Sequence, residues 1–445
     1  MKKIHILFYA LYLILCTFCA LSLPLLQENI NYLYLLIPSF LVLNLFAGMF
    51  SIKSESFRLK ICHHGAILLA VFLPSACFSV IHHIIQAFLM FPEDWKGWLW
   101  RALFTFGIYF VIFWNGIICV YLTSVQLGVK QRVIGLICGM IPIANLFCLV
   151  KIIRTTLREV DFEVKKEEIN RARAQDRVCA TKYPILLVHG VCFRDYKYLN
   201  YWGRIPKELE RNGAKIFYGN HHSASSIAFC AEELSARIKE ILAETGAEKV
   251  NIIAHSKGGL DCRYAISKLG MAPYVASFTT INSPHKGCHY ADTLLTVIPN
   301  HVKNKVAGTY NKALRRLGDI DPDFLTAMCN LTATFCEKLA VELDDAEEKH
   351  GIYRQSVGSI MGSAKSAGFP LNYFYMVVSD FEGPNDGLVS EGSFEFGEKF
   401  TFLRPKGKMG ISHMDVIDLT KKDVPDFDVR EFYVELVSDL KNRGF

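Results

Sequence analysis

The sequence predicts an α/β globular domain behind an all-helical apolar region, on three observations. The first is a break near residue 150: the 445 residues have a mean hydropathy of +0.23, but apolar residues run almost continuously before that point and are ordinarily spaced after it. The second is an alternation, from Tyr183 onward, of short apolar runs with amphipathic ones, which reads as βαβ units around a mostly parallel sheet with helices on both faces. The third is the stretch Val250-Asn-Ile-Ile-Ala-His-Ser256-Lys-Gly-Gly-Leu260, where a β-branched run stops at small residues around a serine and a helical pattern begins at once.

Residues 1–150 read as a multi-pass transmembrane region with about five apolar segments, Ile4–Leu26, Tyr32–Phe50, Gly65–Phe91, Ala102–Leu122 and Val133–Val150. A spanning helix needs about 20 apolar residues, and the first four meet that. Trp95, Trp98 and Trp100 cluster before the fourth as an interfacial belt would. The first run ends in Leu23-Pro-Leu-Leu, not at a small-residue cleavage site, so it reads as retained. Lys2, Lys3, Lys53, Arg58, Lys60, Lys130 and Arg132 fall on one side against Lys96 on the other, placing the N-terminus in the cytoplasm. The fifth run contains Gly139, Pro142 and Asn145 and precedes Lys151, Arg154 and Arg158, so the side of the following domain stays open. His63-His64 and His82-His83 read as packing or interfacial residues. Residues 151–182, dense in both charges, read as a helical linker forming a solvated stalk.

Within 183–445, strands are expected at Pro184–Val188, Ala214–Tyr218, Val250–Ala254, Val275–Ile281 and Leu371–Val378. Helices are expected around Tyr201–Asn212, along the face Ile227, Ala231, Leu234, Ile238 and Leu242 with Gly246 as its stop, through Leu260 and Tyr264, and along Phe432, Leu436 and Leu440. The stretch 289–370 reads as a mainly helical insertion capping the site. The seven cysteines from Cys179 onward are dispersed without a C-x-x-C pair, which indicates neither zinc nor a redox motif. The net charge of +6 comes without a basic stripe interleaved with aromatics, which argues against nucleic acid as a partner.

The chemistry centres on Ser256. A serine between a strand and a helix, with small residues two before (Ala254) and two after (Gly258), has the form of the nucleophile elbow of α/β hydrolases. A serine hydroxyl needs a histidine to accept its proton and an acid to orient that histidine, and here the acid precedes the histidine in the chain. Among fourteen histidines only His413 lies beyond residue 350, ahead of the last helix. The acid should follow the strand expected at 371–378, and spacing leaves Asp380 and Asp386 equal. An oxyanion needs backbone N–H donors; Lys257, after the serine, and Val191, after Val188-His-Gly190, are the candidates.

Tyr183-Pro-Ile-Leu-Leu-Val-His-Gly190, Tyr201-Trp-Gly-Arg-Ile-Pro206, the elbow, Ser283-Pro-His-Lys-Gly287, Asn385-Asp-Gly-Leu-Val389 and Ser412-His-Met-Asp415 together resemble the true lipases of bacteria, over roughly residues 183–445. The resemblance implies an α/β-hydrolase fold, a helical lid, triacylglycerol lipase or carboxylesterase activity on lipid or acyl esters, and Asp386 as the acid. It implies no cofactor for the chemistry. Many members bind a structural calcium, and Asp415 matches one ligand, but Leu419 stands where a side-chain oxygen is expected. The expected protein is thus a membrane-anchored serine ester hydrolase with the triad Ser256, Asp386 and His413. A phospholipase or acyltransferase with the same triad is the alternative, and a catalytically inert membrane scaffold a further one.

Overall fold

A computed structural model describes residues 31–46, 48–139, 141, 143–191, 200–343, 346–404 and 407–445. The first apolar run, Ile4–Leu26, lies outside the described residues. The chain divides into two compact units, with the boundary between Ala172 and Arg173.

In the first unit the second apolar run is a helix over Asn31–Phe46. The third and fourth lie in two antiparallel limbs, Phe57–Leu89 and Glu93–Thr123, with a non-helical Asp94 at the break. Glycine lets the limbs approach: a Cβ on Gly65 would lie 2.7 Å from the Cys119 Cβ, and one on Gly116 2.8 Å from the Leu69 Cγ. Ser79 and Tyr109 share a hydrogen bond of 2.9 Å between them. These two helices are long and apolar enough to cross a membrane by length and composition. The fifth run is not one span. A helix ends at Cys138, where the Gly139 N–H closes onto the Gly135 carbonyl, and another begins at Ala144.

That last helix, Ala144–Ala172, corrects the expectation of a solvated stalk. Ile152, Ile153, Thr156, Glu159 and Val160 are buried along it. The Glu159 carboxylate accepts from Arg58 (2.8 Å), the Ser124 hydroxyl (2.6 Å) and the backbone N–H groups of Val125 and Gln126 (3.0 and 3.1 Å). Charge density along the chain concealed this, because a buried carboxylate with four donors looks in sequence like any surface glutamate.

The second unit is a six-stranded parallel sheet in the order β2-β1-β3-β4-β5-β6. The strands are β1 (Ile185–Val188), β2 (Ile216–Tyr218), β3 (Val250–His255), β4 (Val275–Ile281), β5 (Tyr353–Ser359) and β6 (Lys399–Leu403). Alternate side chains serve opposite faces. Ile185, Leu187, Ile253 and Val357 pack with Trp202, Leu209, Tyr433 and Val437 under the helices Ile205–Arg211 and Val429–Asn442. Leu186, Val188, Ile252 and Ala254 pack with Leu234, Ile238 and Ile266 under Ile227–Thr245 and Lys257–Lys268. Gly246 ends the helix before β3 in a left-handed cap, as its position suggests.

Two expectations fail in this unit. Leu371–Val378 is not a strand but part of a helix, Leu371–Glu382, with Leu371 and Val378 buried and Tyr373 and Met376 about half exposed. A short apolar run carries no period of its own that separates strand from helix. The strand lies earlier, at Tyr353-Arg-Gln-Ser-Val-Gly-Ser359, inside the stretch expected to be helical. Its polar residues hid it: Gln355 donates to Thr279 Oγ1 at 3.0 Å, and one strand further in Ser277 donates to Asn251 Oδ1 at 2.7 Å. The helices inserted after β4 are His289–Val297, Asn300–Arg316, Phe324–Cys329, Ala333–Glu342 and Ala346–Lys349. They are held to the segment before the helix Ile227–Thr245 by Ser223 Oγ on Asp319 (2.6 Å) and the Asp323 N–H on the Ala224 carbonyl (2.8 Å).

Trp202 is fully buried and stands edge-on to Tyr433. Replacing Trp202 by alanine is expected to destabilise the globular unit by about 3–5 kcal/mol, measured as a shift in its urea unfolding free energy.

Candidate active site

Parallel strands place their C-terminal ends on one edge, and the candidate residues follow those ends. Ser256 comes directly after β3 with φ 55° and ψ −132°, a left-handed conformation that non-glycine residues rarely take. Its amide donates to the Ile281 carbonyl at the end of β4 (3.0 Å), and the helix Lys257–Lys268 starts at the next residue. The turn has no spare room. A Cβ on Gly258 would lie 2.4 Å from the His189 carbonyl oxygen, and one on Gly190 2.8 Å from the Ser256 Cβ. Ala254 is fully buried in the strand beneath, where its methyl is accommodated.

Asp386 lies in the turn after the helix Leu371–Glu382, and its carboxylate is wholly buried. Four donors surround it. Leu388 and Val389 N–H reach Oδ1 at 2.9 and 2.8 Å, while Asn282 Nδ2 and His413 Nδ1 each meet Oδ2 at 2.6 Å. The His413 amide also donates to the Asp386 carbonyl at 2.9 Å, so this pair is joined through backbone and side chain alike. Asp380, the other acid that spacing allowed, is exposed within the helix and is not brought to the site.

His413 reaches the elbow through its neighbour: its ring centre is 4.4 Å from that of His255, the residue before Ser256. His255 is buried and shares a 2.6 Å hydrogen bond with the Tyr201 hydroxyl. Burial, and then the proximity of His413, hold its pKa well below the ordinary histidine value, so its ring is neutral. Among the described residues no hydrogen bond joins the Ser256 hydroxyl to His413, a contact that tightens in many enzymes only with substrate present. Of the two oxyanion candidates, Lys257 opens a helix, so its N–H has no intrahelical partner. Val191 follows Gly190, the residue that touches Ser256.

The Lys257 side chain turns away from the edge and is buried. Its Nζ donates to Asp261 Oδ1 at 2.6 Å and to Cys230 Sγ at 3.4 Å, and His221 Nε2 stands 3.7 Å from the other Asp261 oxygen. Burial pushes the Asp261 carboxyl up to about 6, against the opposing pull of Lys257. The ring of His189 stacks on His221 with centres 3.9 Å apart. This buried pair and Asn282 were not singled out in the sequence. The i,i+4 spacing of Lys257 and Asp261 was a usable signal; Asn282, first residue past β4, was another.

Asp415 Oδ2 accepts from the Ser412 hydroxyl (2.6 Å) and amide (3.2 Å), closing the turn that carries His413. Among the described residues no group of three or more His, Cys, Asp or Glu could hold a metal ion.

Two changes test this geometry. Gly258→Ala is expected to remove Ser256 from its turn, lowering its labelling by a fluorophosphonate at least about 100-fold. Asp261→Asn leaves Lys257 buried without its counter-charge and is expected to cost about 3–5 kcal/mol, measured by denaturant unfolding.

Residues 183–364 match the family model described as the alpha/beta hydrolase fold. A triacylglycerol lipase of Burkholderia plantarii is 38% identical over 175 residues, which are 36% of this chain and 48% of that one. One of Pseudarthrobacter phenanthrenivorans is 37% identical over 171 residues, 35% of this chain and 52% of the relative. One of Vibrio cholerae serotype O1 is 38% identical over 151 residues, 34% and 48% of the two chains. The chain thus spans about half the length of the curated relatives it matches. Taken with the parallel sheet and the strained serine at the end of β3, these matches support an α/β hydrolase fold for the globular part of the chain.

Proposed function

We propose that this chain is a serine carboxylic-ester hydrolase of the lipase and esterase type, attached to a membrane and acting on lipid or other acyl esters. The observation that carries the reading is the pairing of a serine held at φ 55° with a histidine whose Nδ1 lies 2.6 Å from a buried carboxylate. In this mechanism His413 Nε2 takes the proton of Ser256 Oγ as that oxygen attacks the ester carbonyl. Asp386, fixed by Asn282 and two backbone amides, keeps the proton on Nδ1 and stabilises the imidazolium that forms. The amides of Lys257 and Val191 receive the developing oxyanion. His413 then hands its proton to the leaving alcohol, and water repeats the sequence on the acyl-enzyme.

The lipase names of the relatives support an acyl ester of a lipid as substrate. The two helices of spanning length support attachment at the surface where such a substrate resides.

Ser256→Ala is expected to abolish both fluorophosphonate labelling and hydrolysis of a triacylglycerol emulsion or a p-nitrophenyl ester; labelling that persists would sink the assignment. Asp386→Asn keeps the shape but not the charge and is expected to lower kcat by about 10⁴-fold, measured on the same ester.

A further inference from the structure

The segment that carries His413 runs from the end of β6 at Leu403 to the helix starting at Val429, long enough to need anchors of its own. On the near side of His413 it is held to the segment after β5: the Gly362 amide donates to the Met409 carbonyl (2.9 Å) and the Ile411 amide to the Ile360 carbonyl (2.8 Å). On the far side Arg204 holds it. Asp418 Oδ2 accepts from the Arg204 backbone N–H at 2.7 Å and from Nε at 2.8 Å, and Asp418 Oδ1 accepts from Nη2 at 2.8 Å. The same Nη2 reaches Asp423 Oδ1 at 2.9 Å.

We infer that Arg204 is a positioning residue for His413, a built-in cation that clamps the turn bearing it and does locally what a bound divalent ion would do between carboxylates. This rests on the reading of His413 as the base for Ser256.

The link from clamp to imidazole is short and stiff. Asp415 closes onto Ser412, the Asp418 amide donates to the Asp415 carbonyl (3.0 Å), and the Leu419 amide to the Met414 carbonyl (3.1 Å). Asp418 itself is held at φ 56° with its side chain fully buried. A buried carboxylate in that position needs a partner that satisfies both oxygens, and a planar guanidinium does so where an ammonium does not. The close approach is written into Gly203, at φ +52°, where a Cβ would lie 2.0 Å from the Asp418 carbonyl oxygen. The carboxylates of this turn are therefore committed: Asp418 and Asp423 to Arg204, and Asp415 to Ser412.

The test uses the full chain in detergent, with Arg204→Ala and Arg204→Lys compared with the unaltered protein. Sites are counted by exhaustive fluorophosphonate titration, and kcat and KM for a p-nitrophenyl ester are expressed per titrated site. Displacing the base should lower kcat in Arg204→Ala by about 100-fold while KM stays within about threefold. Arg204→Lys, which keeps the charge and the aliphatic stem, should retain the fold and still lose at least about tenfold in kcat. Low-millimolar guanidinium should restore about tenfold of the loss in Arg204→Ala and leave the unaltered protein unchanged, since it refills the vacated fork. EDTA should leave the unaltered protein's rate unchanged. The inference is overturned by a per-site kcat within about twofold of the unaltered protein in both variants, whatever their melting temperatures, because the clamp then serves stability alone. It is equally overturned by guanidinium without effect on Arg204→Ala, or by a rate that EDTA removes and calcium restores. An unaltered protein that neither labels at Ser256 nor cleaves esters refutes instead the hydrolase reading beneath it.

Discussion

The whole site depends on how tightly the chain turns at Ser256. A residue forced to φ 55° between a strand and a helix sits at the C-terminal edge of the sheet, and its successor's amide has no intrahelical partner. That geometry holds only if the neighbouring chain can lie against it. β1 pairs with β3 so that Val188 is opposite Ala254, which carries His189 and Gly190 past the turn. The Gly190 and Gly258 positions are filled by surrounding atoms to within 2.8 and 2.4 Å of where a Cβ would stand. The two glycines and the strained serine are therefore one requirement, and the oxyanion candidates Val191 and Lys257 inherit their places from it.

The dyad is built on a different principle. Asp386 gains its position from donors supplied by separate parts of the sheet edge: Asn282 after β4, two amides of its own turn, and His413 from the segment after β6. Ser359, at the end of β5, ties the arrangement together by accepting from Asn282 and donating to the Ile411 carbonyl. A carboxylate with four donors cannot rotate without breaking hydrogen bonds in a buried place, where each unsatisfied group is expensive. The imidazole is oriented accordingly.

What could be read from the sequence followed from how local the governing physics was. The elbow, β1, β3, β4 and the flanking helices announce themselves because apolar periodicity and glycine placement act over a few residues. β5 did not, since Gln355 is buried against Thr279 on the next strand and Ser356 against the Phe396 amide, partners that no local pattern reveals. The aromatic run from Leu371 attracted the strand assignment instead. It is a helix because its neighbours cover only Leu371, Val378 and the residues between them in part, a tertiary fact. Resemblance separates Asp386 from Asp380; spacing alone does not. The helix Ala144–Ala172 was misjudged for the related reason that charge along a chain says nothing of whether the charges meet partners.

Two buried ion pairs lie under the edge, and they act on opposite sides of it. Lys257 and Asp261 belong to one helix and hold its first turn, whose leading amide is the Lys257 oxyanion candidate. Arg204 and Asp418 are far apart in sequence and hold the histidine turn against the segment that carries Trp202. Apolar side chains of similar volume would pack either place at less electrostatic cost. A forked guanidinium or a buried ammonium, however, fixes direction as well as distance, which an apolar contact does not. Catalysis by an acyl-transfer site tolerates displacement of well under an ångström between base and nucleophile. Directional ion pairs at the helix start and the histidine turn are therefore where positional control is needed most.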